Sequence, residues 1–312
     1  MSSRAIPSGR GGCYRWPMLI AFDIGGSRIR AARAFAPDDL EPLGERPMPL
    51  SFPGFVAALR DLMPEEATSL AIAIAGVVDP DTGRITAANL PAVNRRALAA
   101  DLGAALGRPV WIGNDADCFV LTEALLGVGR GHRSVFGIIL GSGVGGGIVL
   151  DGRLLTGAGG IAGEWGHAPV LDQRPLGRDL PHLPCGCGQS GCVDTYGSAR
   201  GIERLHLALC GQGSTAARSW RPGGQGEMAA AETVEVWLEL VAGPLAMLVN
   251  VIGPSVVPVG GGLSNDGDLV AALDRAVRHR LLRPASETLL RPAFHPEPGL
   301  VGAALAGLQA LG

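Results

Sequence analysis

Residues 134–157 read SVFGIILGSGVGGGIVLDGRLLTG, and the fold class turns on them. Gly141, Gly143 and Gly146 satisfy G-x-G-x-x-G after an apolar strand, which taken alone suggests a dinucleotide site. That fingerprint must open a helix, so that the pyrophosphate rests on the helix N-terminus. Here IVLDGRLL follows, a β-rich run with an Asp-Gly turn at 151–152. The context is strand, glycine turn, strand, and the dinucleotide reading fails.

The same device stands near the start of the chain. MLIAFDIGGSRIRAARAF (18–35) is an apolar strand, a turn at Gly25-Gly26 and a second strand, a hairpin. Its recurrence suggests two related halves. A glycine turn between paired strands lets backbone N–H groups approach an anion closely. Asp23 before the first turn is placed to hold Mg²⁺ through water, and Arg28 adds a fixed positive charge. The competing reading is a pair of tight hairpins whose glycines serve only positive φ. A third glycine run, VGGGLSN, follows an apolar strand at 255–260.

Between these devices helices and strands alternate. FVAALRDLM (55–63) and RRALAADLGAAL (95–106) have helical spacing, the latter ended by Gly107. SLAIAIAGVVDP (69–80) and PVWIGND (109–115) read as strands, and ADCFVLTEALLG (116–127) as a helix. GQGSTAARSWRPGGQGEM (211–228) reads as a loop or a short broken helix. VEVWLELVAGPLAMLVNVIG (234–253) is helical, with a kink or break expected at Gly243-Pro244. GLVGAALAGLQAL (299–311) closes the chain as a small-residue helix. The class is α/β.

Composition sets outer limits. The 312 residues suffice for two domains, and the 48 glycines cluster in short runs rather than in a collagen period. With a formal charge of −3 and no window dense in basic and aromatic residues, nucleic-acid binding is not expected. No run approaches about 18 unbroken apolar residues, so no membrane span is expected. The first seventeen residues lack an apolar h-region and read as a flexible tail, with Met18 a candidate start. The six cysteines do not make a disulfide framework, which points to a reducing cytosol.

Three of those cysteines crowd into CGCGQSGC at 185–192. Cys185 and Cys187 are poorly spaced to bridge each other, and the motif is not C-x-x-C. Three thiolates at this spacing, on a glycine-wrapped loop, suit a soft ion such as Zn²⁺. The fourth ligand would be His167 from GEWGHAPV, with His182 its competitor. A four-ligand site has no open position, so such a zinc is structural.

Taken together, FDIGGSRIR, GNDADCF, LGSGVGGGIVLDGRLLTGAGGIAGEWGH and CGCGQSGCVDTYGSARG resemble the successive motifs of the ROK family of sugar kinases and repressors. The match runs from about Met18 to the C-terminus. ITAANLPA, NDADCFVLTEA and VGGGLSN most resemble the bacterial N-acetylglucosamine kinases, and GEWGHAPV is also similar to fructokinase-type members.

The resemblance implies an actin-like ATPase (ribonuclease H-like) fold of two lobes with ATP and sugar in a central cleft. It implies an N-terminal lobe over 18–113 joined by the final helix 298–312, and a C-terminal lobe over 114–297 with a zinc loop at 164–194. Asp115 then matches the catalytic base, accepting the proton of a sugar 6-hydroxyl; the bland alternative is a helix cap. Asn114, Glu164 and His167 match ligands of sugar hydroxyls, His167 serving zinc and sugar through its two ring nitrogens. Asp23, Gly25, Gly26, Ser27 and Arg28 match the first phosphate motif, Gly141, Ser142 and Gly143 the second, and Gly260, Gly261 and Gly262 the adenosine motif. His167, Cys185, Cys187 and Cys192 match the zinc ligands.

Three departures stand out. Ser27-Arg28 replaces the usual threonine-lysine, Ser142 stands where many members have threonine, and Asp194 replaces a sugar-binding glutamate. The last contact is expected through water, since aspartate is one methylene shorter. N-acetylglucosamine leads among the implied substrates, ahead of glucose, fructose, mannose and N-acetylmannosamine. A sugar-responsive repressor is disfavoured, because seventeen residues before MLIAFDIGG leave no room for a DNA-binding domain. A catalytically dead sugar sensor is disfavoured by the joint presence of Asp23, Asn114, Asp115, Glu164 and His167. Dimers are common in the family; the residues themselves carry no sign of one.

Overall fold

The computed structural model of the chain describes residues 18–87, 89–211, 227–283 and 287–311. The expected tail and most of the glycine-rich loop at 211–228 lie outside the described residues. Two compact units emerge, one from residues 18–118, 158–160 and 296–311, the other from 119–157 and 161–295.

The first unit is built on β1 (Leu19–Ile24), β2 (Arg28–Ala36), β3 (Asp39–Pro47), β4 (Ser69–Ile74) and β7 (Val110–Asn114), in the order β3-β2-β1-β4-β7. Two short strands, β5 (Val77–Val78) and β6 (Ile85–Thr86), pair beside it. β1 and β2 form the expected antiparallel hairpin, while β1, β4 and β7 run parallel. Alternation along the strands sends two sets of side chains to opposite faces. Ile20, Phe22 and Ile24 join Leu70, Ile72 and Ile74 under α1 (Phe52–Leu62) and α2 (Leu98–Leu106). Leu19, Ala21, Ala71 and Ala73 face α8 (Pro298–Leu311). That face is small because the helix lies close. A Cβ at Gly307 would stand 2.5 Å from Ala71 Cβ, and one at Gly302 2.0 Å from the Cys118 carbonyl oxygen.

The second unit repeats the plan. β8 (Ser134–Leu140), β9 (Val144–Leu150), β10 (Arg153–Leu154), β11 (Val257–Gly260) and β12 (Leu290–Pro292) lie in the order β10-β9-β8-β11-β12. Again the first pair is an antiparallel hairpin and the inner strands are parallel. The Asp-Gly turn appears as expected, with φ of 51° at Asp151 and 73° at Gly152. Phe136, Ile138 and Leu140 bury against α6 (Glu227–Ile252) and α7 (Gly267–Arg278).

Of the kink or break expected in α6, the break does not occur, for one helix continues through Pro244. Losing an N–H and crowding the preceding turn costs about 3 kcal/mol. Burial of Trp237, Leu240, Val241, Leu245 and Ala246 on the same helix offsets that cost. Ala230–Ile252 is also long and apolar enough to cross a membrane by length and composition, but these side chains belong to the unit's core.

Candidate active site

In the first unit, register aligns Ile24, Ile74 and Asn114 in one row across β1, β4 and β7. The Gly25 turn and Asp115 therefore leave the sheet at the same carboxyl edge, where open α/β sheets take ligands. Two strand spacings separate them, roughly 10 Å. Neither Gly25 nor Gly26 adopts a left-handed φ. A Cβ would find no atom nearer than 3.9 Å at Gly25 or 4.0 Å at Gly26, chain neighbours apart. Neither a left-handed φ nor crowding by the described residues accounts for glycine at either position. The turn closes through Gly25 N–H donating to the Arg28 carbonyl at 3.0 Å.

Asp23 sits on the α8 side of β1. Its carboxylate pairs with the Arg30 guanidinium, which also reaches Glu297 at 3.1 Å. Gly299 makes room for it: a Cβ there would lie 2.9 Å from the carboxyl carbon. Arg28, by contrast, pairs with Glu45 at 3.2 Å on the exposed side of the hairpin, a weak tie.

Asn114 and Asp115 stand where β7 becomes α3 (Asp115–Leu125). Capping falls mainly to Asn114, whose Oδ1 accepts from Ala116 N–H at 2.6 Å and Asp117 N–H at 3.2 Å. Its Nδ2 donates to the Gly76 carbonyl at 3.0 Å. With the acceptor spent, Asn114 offers a ligand only its second amide hydrogen. Asp115 Oδ1 accepts from Ala116 N–H at 2.9 Å, and its side chain is only half-buried.

The second unit places Gly141, Ser142 and Gly143 between β8 and β9, again outside the left-handed region. Gly143 has Asp194 Oδ1 as its neighbour, 3.0 Å from where a Cβ would stand. Gly141 borders Gly261, whose φ of +85° and closeness to Leu140 both demand glycine. Gly260 is glycine because Phe119 packs on it, with 2.6 Å left for a Cβ, whereas nothing lies within 4 Å at Gly262. Of the three expected adenosine glycines, Gly262 alone is open.

The later glycines of the run have a different purpose. At Gly146 a Cβ would stand 3.0 Å from Trp165, and at Gly163 and Gly166 it would stand 2.6 Å and 2.2 Å from carbonyl oxygens of β9. Trp165 donates its indole N–H to the Gly145 carbonyl at 2.8 Å. The strand is thus bare so that the GEWGH segment can lie on it, which fixes Glu164 and His167. Glu164 and His167 Nε2 are 3.9 Å apart. Burial raises the Glu164 pKa, and His167 partly opposes the shift.

His167 Nδ1 lies 3.5 Å from Cys185 Sγ, and Cys187 Sγ lies 3.6 Å from Cys192 Sγ. The donor atoms of His167, Cys185 and Cys187 all fall within 4.8 Å of one another. Around tetrahedral zinc with bonds of about 2.3 Å, ligand atoms stand roughly 3.7 Å apart. The cluster fits that ion in donor chemistry and spacing. Gln189 N–H holds the Cys187 thiol at about 7, whereas burial and the neighbouring thiols push Cys192 up to about 12. The competitor His182 has other partners for its ring nitrogens, Gln173 at 3.2 Å and the Leu171 carbonyl at 3.2 Å.

The expected residues therefore fall in two groups. Asp23, Gly25, Gly26, Ser27, Arg28, Asn114 and Asp115 belong to the first unit, and the rest to the second. Arg30 and Glu297 were not singled out by sequence reasoning. Arg30 looks like one more basic residue of an edge hairpin, and its partner lies 267 positions away.

Two sheets of one strand order, each opening on a glycine-turned hairpin, define the actin-like ATPase fold. The chain belongs to the ROK family, whose signature matches residues 48–309. It is 37% identical over 306 residues to the N-acetyl-D-glucosamine kinase of Pectobacterium atrosepticum, covering 94% of this chain and 99% of that one. It is 36% identical over 302 residues to an N-acetylgalactosamine kinase of Shewanella sp. ANA-3, covering 93% and 96%. Among solved structures it resembles the ROK hexokinase of Thermus thermophilus, with a TM-score of 0.76 and 30% identity over 92% of this chain and 96% of that one. A ROK family glucokinase of Streptomyces griseus, solved with glucose and AMPPNP, gives a TM-score of 0.73 and 28% identity over 94% and 100%.

Proposed function

We propose that Asp115 is the general base of this chain and that N-acetylglucosamine is its preferred acceptor. The chain is a ROK sugar kinase, carrying the γ-phosphoryl group of ATP to the 6-hydroxyl of a hexose or N-acetylhexosamine. What supports the phosphate reading is the room at Gly25 and Gly26, where among the described residues a Cβ would meet nothing nearer than 3.9 Å and 4.0 Å, chain neighbours apart. The choice of sugar rests on the near end-to-end match to N-acetyl-D-glucosamine kinases.

The chemistry follows from these groups. The sugar 6-oxygen attacks the γ-phosphorus, the new O–P bond forms, and the bond to the β–γ bridging oxygen breaks to leave ADP. Asp115 takes the hydroxyl proton and passes it to solvent. In the first unit the second amide hydrogen of Asn114, and in the second Glu164 and His167, are groups suited to sugar hydroxyls. Each glycine turn offers backbone N–H groups to phosphate oxygens, Gly25, Gly26 and Ser27 in the first unit and Gly141, Ser142 and Gly143 in the second, where the open edge at Gly262 suits adenosine. Mg²⁺, when bound, neutralises charge on the phosphates. Asp23 would hold it through water while sharing its carboxylate with Arg30. His167, Cys185, Cys187 and Cys192 would hold Zn²⁺, which would order the Glu164 segment without a part in the transfer.

A coupled ADP-release assay with MgATP tests the sugar, run against N-acetylglucosamine, N-acetylgalactosamine, N-acetylmannosamine, glucose, mannose and fructose. N-acetylglucosamine should give the highest kcat/KM, in protein holding one zinc per chain. The Shewanella relative makes N-acetylgalactosamine the reading to beat, and a preference for it would replace our assignment. Absence of turnover with all six sugars would end the kinase reading of this chain.

A further inference from the structure

We propose that Asp194 is a positioning residue for the Gly141–Gly143 turn and serves nucleotide binding, instead of contacting the sugar. The proposal rests on the reading of that turn as a phosphate cradle.

The turn has little to hold itself. Within it, Gly141 N–H donates to the Gly143 carbonyl at 3.0 Å. Two further ties come from one short stretch that follows the cysteines. Asp194 Oδ1 accepts the Val144 N–H at 2.7 Å, at the start of β9, and Ala199 N–H donates to the Gly141 carbonyl at 2.8 Å. The turn is thus gripped at both ends, once by a side chain and once by backbone. A hydrogen bond to an ionised acceptor is roughly twice as strong as a neutral one, so the Asp194 grip is the firmer. Gly143 carries no side chain to block it, since a Cβ would stand 3.0 Å from the same oxygen.

The stretch that does the gripping is itself rigid. α4 (Val193–Gly197) buries Val193, Thr195, Tyr196 and Gly197. Tyr196 donates its hydroxyl to the Pro181 carbonyl at 3.0 Å, and Arg204 donates to the Thr195 carbonyl at 3.1 Å. Trp237 donates to the Gly197 carbonyl at 3.3 Å, and Ser198 Oγ accepts from Gly201 N–H at 3.1 Å. A carboxylate on so fixed a support defines where the Val144 amide stands. A glutamate in this place would carry its carboxylate one methylene past that amide. The shorter side chain is therefore matched to the turn.

The test compares wild type with Asp194→Ala and Asp194→Asn, using AMPPNP with Mg²⁺ and N-acetylglucosamine as separate calorimetric probes. Asp194→Ala should weaken AMPPNP by about tenfold, the loss of one charge-assisted bond, with sugar affinity within about twofold of wild type. KM for ATP should rise while kcat at saturating ATP holds. Asp194→Asn keeps an acceptor oxygen and should recover most of the loss. Amide exchange of the segment 141–147 should quicken in Asp194→Ala and stay near wild type in Asp194→Asn. An Asp194→Ala protein with weakened sugar binding, unchanged AMPPNP affinity and unchanged exchange would overturn the proposal. Because exchange needs neither sugar nor turnover, it still decides the anchoring role if wild type phosphorylates none of the sugars tested. Those two failures are then told apart.

Discussion

The two sheets share a strand order and a glycine-turned opening hairpin, yet they hold their turns by different means. In the first, the turn after β1 is held by backbone, Gly25 N–H on the Arg28 carbonyl and Met48 N–H on the Ser27 carbonyl at 2.9 Å, and the charged contacts gather on the preceding carboxylate, where Asp23, Arg30 and Glu297 form a chain. In the second, charge is nearly absent beside the turn. One aspartate and one backbone amide grip it, both from the stretch that follows Cys192. The same architecture therefore gives one half that can offer a base and a cation site, and another that can offer a fixed cradle. If that division is real, variants of the first half should act on kcat and on the Mg²⁺ requirement. Variants of the second should act on KM and on local order.

The largest effect is expected at Asp115. Asp115→Asn should lower kcat by about 10³ or more, with sugar affinity and zinc content near normal. Turnover within a few-fold of wild type would break the division at its root.

Next comes the thiol cluster. Cys187→Ser should drop zinc from one per chain to a fraction of that, measured by metal analysis on purified protein. Amide exchange should rise across 164–194 while the first unit stays protected. Stripping zinc with a chelator should reproduce the pattern, because the ion would order a loop rather than act on substrate.

A smaller effect should follow from Arg30→Ala, which leaves Asp23 and Glu297 without their shared cation. Stability should fall by about 1–2 kcal/mol in denaturant titrations. The Mg²⁺ concentration for half-maximal rate should fall a few-fold, since an unshared carboxylate binds the cation better. An unchanged requirement would detach Asp23 from the metal.

The smallest is a pH effect at Glu164. Burial raises its folded-state pKa, so the folded protein binds that proton more tightly than the unfolded chain does. Stability is then lost as pH rises through the ordinary carboxylate range and on through the raised value. Glu164→Gln should therefore raise the melting temperature of sugar-free protein at pH 7 and leave it nearly unchanged at pH 4.

Much of this fold is legible in the chain, because each half opens on the same strand–glycine–strand device. What escapes reading has physical causes. β3 is DLEPLGERP, an exposed edge strand with no apolar alternation to betray it. Pro244 signals a break that the burial of its helix overrides. Glycine runs are ambiguous by nature: Gly262 has no described atom within 4 Å of its Cβ place, Gly146 clears room for Trp165, and Gly260 clears room for Phe119, all from similar strings. The cysteine cluster shows as local density, and His167 joins it from eighteen positions away. The anchors are least visible, for Asp194 meets Val144 across 50 positions and Arg30 meets Glu297 across 267. No short window contains both members of such a pair.

α8 has a consequence for how the protein is made. Its Ala303, Ala304 and Leu308 cover Leu19, Ala21, Ala71 and Ala73 on the first sheet. The strands of the first sheet thus keep one face bare until residues 300–308 have been synthesised. At about 5–20 residues per second, that wait lasts on the order of tens of seconds for a nascent chain of this length. The second unit needs nothing beyond residue 295 to complete its own core, so it is free to finish first. Termination before Pro298 would leave a finished second unit and a first one that cannot close, a natural target for chaperones and proteases.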